Sequence, residues 1–341
     1  MEAFEKNTHP VIYRTPKYTE RFRCIASDCR DSCCIGWEIC IDEETLEKYK
    51  HTAGALFSDI RKSLSEDGSF CLTESDRCPH LLENGLCRII CEAGEDALCN
   101  VCREHPRFYN LYGDVCEWGI SLACESAATL ILESASAPSY TEEVREEEGA
   151  EAVDGALFSL LFAEREDILK YVAEEKTSLE EKMLCLEKWA QALQDFIENR
   201  DFCKEKFSFC RKERKNKAFF TEQRLARYKE ILSSLDPLSP AFPKRCATMQ
   251  MPKPRTDTEV LFSKILSYFI YRYFLTYALE GDVTAPIGLA LLATTAIAAL
   301  CEAEGAHTRA KIAKTAKDFS KEIEYSEENR DVVLDAFSAF A

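Results

Sequence analysis

The sequence predicts a mainly α-helical protein, in which a cysteine-rich, irregular metal-binding region at the N-terminus is joined to a helical region at the C-terminus. Three observations support this. The chain has 18 cysteines among 341 residues, and most of them lie before residue 125. Beyond residue 155 apolar residues recur at helical spacing, and no segment alternates as a strand does. We therefore expect a cysteine-rich domain over 1–135, an acidic linker over 136–155 and a helical domain over 156–341.

The N-terminal region is expected to contain two helices separated by irregular loops. Asp42 is a suitable N-cap because acids follow it in the first turn, and the helix is predicted to continue to residue 64. Proline and glycine interrupt the stretch 69–113, which predicts loops organised by something other than an apolar core. A second helix is predicted over 118–134.

Most of the chain beyond the linker is expected to be helical. The proposed linker, 136–155, is rich in acids and poor in apolar residues. Helices are predicted over 156–175, 178–200 and 258–281, where apolar residues fall on one helical face. A run that contains five prolines, 236–257, separates the last of these helices from the others.

One apolar segment is long enough to span a membrane. Residues 283–301 carry no charge. The run is dominated by Ala and Thr, however, and acids flank it where a membrane span usually has basic or aromatic anchors. We therefore predict a buried core helix and no transmembrane segment, while peripheral membrane association stays open.

The N-terminal sequence and the charge also limit which cellular compartment and which partners are expected. The N-terminus lacks the basic and apolar pattern of a secretory signal, which predicts a reducing cytoplasm. The net charge of −17 argues against nucleic acid as a partner. One basic stretch, 203–229, is interleaved with aromatic residues, and it is either a solvated helical face or a dock for an acidic partner.

Two cysteine-dense loops predict a shared metal site. The first loop contains Cys24, Cys29, Cys33 and Cys34, and the second contains Cys78, Cys87, Cys99 and Cys102. Four thiolates bind an Fe–S cluster or a structural zinc ion, and sulfur ligands suit both equally. The adjacent pair Cys33 and Cys34 cannot adopt ordinary disulfide geometry without strain, so at least one of the two is expected to be a ligand.

The same residues resemble a known family. The segments FRCIASDCRDSCCIGWEICID, CPHLLENGLC and CREHPR are similar to the zinc- or iron-chelating CxxCxxCC domain, and within it to the flagellin lysine-N-methylases. The resemblance covers roughly residues 20 to 125. It implies a cytoplasmic, S-adenosylmethionine-dependent protein-lysine methyltransferase that acts on flagellin and carries a 4Fe–4S cluster. Carried over by position, the ligands it implies are Cys29, Cys33, Cys34, Cys78, Cys87 and Cys102, followed by Cys24 and Cys99.

Two functions from different classes remain at this point. The first is the methyltransferase, for which the sequence names neither a donor pocket nor a catalytic base. The second is a non-enzymatic zinc- or iron-binding interaction module. Trp37, Glu38, Tyr109 and Trp118 lie near the cysteines in sequence, and they either pack around the loops or line a substrate site. The other cysteines are expected to be small buried hydrophobic residues.

Overall fold

The structure is a computed structural model that describes residues 8–36, 39–148, 153–201, 204–209, 218–253 and 255–339. This part of the chain is mainly α-helical, with a small four-stranded sheet. The helices are α1 (Glu43–His51), α2 (Ala55–Lys62), α3 (Arg88–Ala93), α4 (Asn100–Glu104), α5 (Glu125–Glu133), α6 (Gly155–Val172), α7 (Leu179–Asn199), α8 (Glu222–Ser233), α9 (Phe242–Thr248), α10 (Thr256–Leu279), α11 (Thr284–Glu304), α12 (Arg309–Glu324) and α13 (Glu327–Asp335).

The sheet joins the two ends of the N-terminal region. Its strands are β1 (Thr8–Pro16), β2 (Arg107–Tyr112), β3 (Val115–Ile120) and β4 (Tyr140–Glu148), in the order β2-β3-β1-β4. Strand β1 pairs in parallel with β3 and antiparallel with β4, and β2 and β3 form a hairpin. The cysteine-rich loops are therefore enclosed between β1 and β2 along the chain.

Two predictions for this region are wrong. The helix predicted over 118–134 starts only at Glu125, because residues 115–120 form β3. The segment 136–155, predicted as a linker, contains β4. Its acids suit an edge strand, where charged side chains can remain in water while the backbone pairs with β1.

Individual residues explain where α1 and α2 begin and end. Asp42 caps α1 as predicted, and its Oδ1 accepts a hydrogen bond from Thr45 N at 3.0 Å. The single helix predicted to residue 64 is instead broken at Gly54, whose φ of 125° most side chains cannot adopt. The stretch 69–113, predicted as loops alone, also contains α3, α4 and β2.

The C-terminal helices agree with the prediction. Helix α7 begins with a capping box between Ser178 and Glu181. Helix α11 covers almost all of the apolar segment 283–301 and is long and apolar enough to cross a membrane. However, 94% of its most apolar 18-residue stretch is buried inside the protein. A core helix shows this burial, which confirms that interpretation.

The protein has two main apolar cores. The larger one is built from α5 to α13 and includes Trp189, Phe269 and Phe274. The smaller one lies in the cysteine-rich region around Tyr49 and Phe70, and it includes two buried cysteines. The irregular loops therefore have an apolar core of their own, contrary to the expectation from sequence.

Gly288 on α11 lies against Phe337, and this contact gives a stability prediction. A Cβ atom at Gly288 would lie 2.1 Å from Phe337 Cγ, so Gly288→Ala must displace that ring. We expect a loss of about 1–3 kcal/mol in the free energy of unfolding, measured by urea denaturation. Gly155→Ala is the matched control, because nothing lies within 4 Å of its added Cβ. Equal urea midpoints for the two variants would contradict this packing.

Candidate metal centre

Five cysteines gather around the smaller core, and we call them the inner thiol group. They are Cys34, Cys78, Cys87, Cys99 and Cys102. Cys78 and Cys99 are buried, and the other three are half-buried. The backbone joins the two loops that the sequence predicted to share a site, because Cys78 N donates to Cys34 O at 2.8 Å. A bridge between Leu81 and Cys87 brings the end of the second loop to the same place.

Two cysteines of the inner group stand at the start of short helices. Cys87 is the N-cap of α3 and Cys99 is the N-cap of α4. Burial raises the pKa of the Cys87 thiol, while backbone N–H groups directed at the sulfur act in the opposite direction. A hydrogen bond from the Cys102 thiol lowers the pKa of Cys99. Backbone donors of this kind favour the thiolate, which is the form that binds metals.

Cys33 and Cys34 are adjacent in sequence but face different neighbours. Their Sγ atoms are 4.0 Å apart. Hydrogen bonds with the thiols of Cys33 and Cys78 lower the pKa of Cys34. Cys33 also interacts electrostatically with Cys24 and Cys124, outside the inner group.

We call Cys24, Cys29, Cys33 and Cys124 the outer thiol group. Cys29 Sγ lies 3.7 Å from Glu125 Oε2, and the same oxygen accepts a hydrogen bond from Arg30 N at 2.9 Å. Cys124 is the N-cap of α5. These contacts place the first cysteine loop at the start of α5.

The structure divides the predicted ligands between the two groups. Cys34, Cys78, Cys87 and Cys102 belong to the inner group, together with Cys99. Cys33 lies where the groups meet, and Cys29 belongs to the outer group. Within the ranges that the structure describes, no three His, Cys, Asp or Glu side chains are close enough to hold a metal ion as they stand. The donor set is nonetheless chemically suited to iron or zinc, because it is almost wholly sulfur. The exact ligand set stays a prediction.

The other cysteines only partly match their expected burial. Cys116, Cys185, Cys246 and Cys301 are buried, as small hydrophobic residues usually are. Cys40, Cys71 and Cys91 are exposed, so that interpretation is wrong for them. Sequence analysis also missed the position of Cys124 beside the first loop, since its partners are distant in sequence.

The two histidines near the cysteines already have protein partners. His105 Nε2 lies 2.8 Å from the Tyr325 hydroxyl, and burial lowers the pKa of His105 to about 4. His80 Nε2 lies 2.9 Å from the Ser63 hydroxyl. The contact of His105 favours sulfur ligands over its imidazole, whereas Nδ1 of His80 is buried without a hydrogen-bond partner in the described part of the chain.

The first cysteine loop is attached to the C-terminal helices through Asp31. Its carboxylate pairs with Lys317 and, at 3.1 Å, with Lys321, both on α12. Burial acts to raise the pKa of Asp31, but the two lysines outweigh it and lower the pKa to about 2. The loop is therefore held between α5 and α12.

The aromatic residues near the cysteines are only partly described. Trp37 and Glu38 lie outside the described residues. Tyr109 and Trp118 stack on each other across β2 and β3, with ring centroids 6.0 Å apart. Tyr109 is 46% exposed, and its hydroxyl donates to Glu104.

Several basic side chains of the stretch 203–229 bind other parts of the same chain. Arg224 pairs with Glu187 at 2.7 Å, and Arg227 and Lys229 donate to backbone carbonyls of other segments. These contacts favour a helical face over a dock. Residues 202, 203 and 210–217 lie outside the described ranges.

Comparison with known proteins gives three relatives. No family model matches the chain, and no solved structure does. The chain is 32% identical to the Lysine-N-methylase of Salmonella typhimurium over 141 residues, which are 39% of this chain and 35% of that protein. The Lysine-N-methylase of Salmonella choleraesuis is 33% identical with the same shares covered. The Flagellar biosynthetic protein FliU of Salmonella muenchen is 31% identical over 131 residues, which are 36% of this chain and 78% of FliU.

These matches cover different fractions of the relatives' lengths. The matched segment spans about a third of the length of the two lysine-N-methylases. For FliU the matched segment covers most of the relative. The chain therefore belongs to the family of FliU and the lysine-N-methylases.

Proposed function

We propose that this protein is an S-adenosylmethionine-dependent N-methyltransferase that modifies lysines of flagellin and carries a 4Fe–4S cluster on its cysteines. The observation that carries the proposal is the similarity to proteins named Lysine-N-methylase and FliU, the second of which is named for flagellar biosynthesis. We place the reaction in the cytoplasm, where cysteine thiols are kept reduced.

Lysine methylation requires a neutral amine held in line with the methyl group. The lone pair of lysine Nζ forms the new N–C bond while the S–C bond of the donor breaks, and the electron pair stays on sulfur. One proton leaves the nitrogen. Burial lowers the pKa of Lys182 and Lys264 in this protein. A substrate lysine in similar surroundings would lose its proton more readily for the same reason.

The cluster part of the proposal rests on the donor set. The inner and outer thiol groups share the junction at Cys33 and Cys34, and between them they offer far more sulfur than nitrogen or oxygen. When bound there, a cluster would supply redox-active iron held by thiolates. The protein would supply the ligands, their backbone donors and the apolar surroundings.

We expect protein purified without oxygen to be brown and to contain iron together with acid-labile sulfide. A mostly thiolate donor set in a reducing compartment suits an Fe–S cluster. Metal analysis and a sulfide assay on the same sample measure both. Stoichiometric zinc without sulfide would contradict this and point to a structural metal.

A second candidate function is a non-enzymatic metal-binding interaction module. One observation favours it: the inner thiol group is continuous with an apolar core around Tyr49 and Phe70, as in a site that only stabilises a fold. Under this alternative, metal would be needed for folding and not for any reaction.

A labelled-donor assay separates the two candidates. The intact protein is incubated without oxygen with flagellin and S-adenosylmethionine labelled in its methyl group. We expect label in flagellin, at a rate proportional to enzyme concentration. If the protein is folded and loaded with metal but transfers no label to flagellin, the result would favour the interaction module.

A further inference from the structure

A cavity of about 300 Å³ lies between β1, α5, β4 and α10. Its walls include Tyr18 and Tyr140, and Ser267 and Lys264 of α10 form part of its side. The loop before β4 lines it as well, and Lys17 N donates to Ser139 O at 2.9 Å. This volume is within the range of sites for small molecules.

Three hydroxyl groups in this cavity are available to a ligand. Among the hydrogen bonds of the described residues, none involves the hydroxyl of Tyr18, Tyr140 or Ser267. Tyr271, which also lines the cavity, instead bonds two backbone carbonyls at 3.2 and 3.3 Å. Burial raises the pKa of Tyr18 and of Tyr140, so both remain neutral phenols able to donate hydrogen bonds.

The wall formed by Tyr140 is held rigidly. The Arg14 guanidinium carbon lies 3.4 Å from the centroid of the Tyr140 ring, and Tyr271 stacks on it with centroids 5.6 Å apart. Arg14 is itself fixed by Glu166 at 2.6 Å and Glu117 at 2.8 Å. A ligand therefore meets an aromatic surface that needs little reordering.

The charges at the cavity are mainly positive. Lys17, Arg21 and Lys264 line it, and Glu133 is the one carboxylate among its lining residues. Arg21 pairs with Glu133 at 3.4 Å, and Lys264 donates to a backbone carbonyl. Lys17 and Lys264 are thus left to attract a carboxylate, whereas Glu133 is also paired with Arg309 at 3.6 Å.

We propose that this cavity binds the methyl donor, with its aromatic and hydroxyl-bearing walls around the adenosyl group and its cations near the carboxylate of the amino-acid end. The inference rests on the proposed function, which supplies the identity of the ligand. The chemistry matches in three parts: the walls suit a flat heteroaromatic ring and a diol, the aromatic rings attract a sulfonium cation, and the lysines attract a carboxylate.

Neighbouring features suit this assignment. Tyr18, which lines the cavity, and Cys124 of the outer thiol group pack against the same apolar cluster, which includes Phe22 and Ile120. A second cavity of about 310 Å³ also contacts Ser267 and Lys264, and its lining includes Glu175, Glu259 and Lys182. Two carboxylates and two lysines therefore line the space next to the first cavity.

The test measures binding of S-adenosylhomocysteine, a stable probe with the same adenosyl and amino-acid groups, to the intact protein by calorimetry. Tyr18→Phe and Tyr140→Phe keep the cavity shape and remove one hydroxyl each, and each should weaken binding roughly three- to tenfold. Ser267→Trp fills the space and should weaken it more. Ser159→Trp, on the exposed face of α6, is the control for the added indole, and Tyr109→Phe is the control for a lost hydroxyl.

The outcomes separate this inference from the proposed function. Wild-type binding that all three cavity variants retain would overturn the inference while leaving methyl transfer intact. A wild-type protein that binds no probe would also overturn the inference, and the labelled-donor assay would then decide separately whether methyl transfer stands. Binding that depends on Tyr18 and Tyr140, in a protein that does not methylate flagellin, would support the cavity and overturn the proposed function.

Discussion

Replacing Arg165 by Met is expected to lower the free energy of unfolding by about 3–5 kcal/mol. Arg165 and Glu117 are both fully buried, and Arg165 Nη2 donates to Glu117 Oε1 at 2.7 Å and to Glu166 at 3.0 Å. Arg14 completes this ion-pair network, which joins the sheet to α6. Loss of one guanidinium leaves two buried or half-buried carboxylates with only Arg14 as a partner. Urea denaturation at neutral pH measures the effect.

The matched control is Arg145→Met, which breaks the exposed pair with Glu143. Exposed pairs contribute about 0–1 kcal/mol, so this variant should unfold close to the wild type. Similar losses in the two variants would contradict the importance of burial in the network.

The same network predicts a dependence of stability on pH. Burial acts to raise the pKa of Glu166, but Arg14 and Arg165 outweigh it and hold the pKa below its ordinary value of 4.5. A carboxylate with a lowered pKa in the folded state stabilises the protein above its unfolded pKa, and this contribution is lost as the pH falls below it. The wild type should therefore lose more stability than Arg165→Met as the pH falls from about 4.5 to lower values.

Replacing Cys34 by Ser is expected to remove the metal and to destabilise the cysteine-rich region by several kcal/mol, because metal binding and folding are coupled in such sites. Cys34 is the residue at which the two thiol groups meet, through Cys33 and Cys78. Metal content and resistance of residues 20–125 to limited proteolysis are the measurements.

Cys71→Ser is the control for this change. Cys71 is exposed and lies in neither thiol group, so this variant should keep its metal. Unchanged metal content and proteolysis in Cys34→Ser would show that the resemblance has assigned a ligand role to the wrong cysteine.

Helical periodicity identified the C-terminal half, because long helices repeat one pattern over many residues. Helices α6, α7 and α10 follow the predicted segments, and the burial of α11 agrees with its composition. The strands were missed because their signals are weak. Strand β4 is full of acids, and β3 pairs with β1, about a hundred residues earlier in the chain. Such pairings are set by tertiary contacts that no local pattern records.

For the candidate sites, too, the sequence indicated some features, while others depend on tertiary structure. Cysteine density pointed to both loops, and the backbone bond between Cys78 and Cys34 joins them as expected. The separation into inner and outer groups depends on the folding of α5 and α12 against the first loop, which spacing alone cannot give. The tyrosine-lined cavity had no sequence signal, since Tyr18, Tyr140 and Ser267 belong to three distant segments.

The most direct test of the proposed lysine methylation is mass spectrometry of flagellin peptides after incubation with the intact, cluster-replete protein and S-adenosylmethionine in the absence of oxygen. The account predicts that lysine-containing peptides gain the mass of one or more methyl groups, and that the gain disappears when the donor is omitted. Unmodified lysines under these conditions, with protein that is folded and binds the donor, would contradict it.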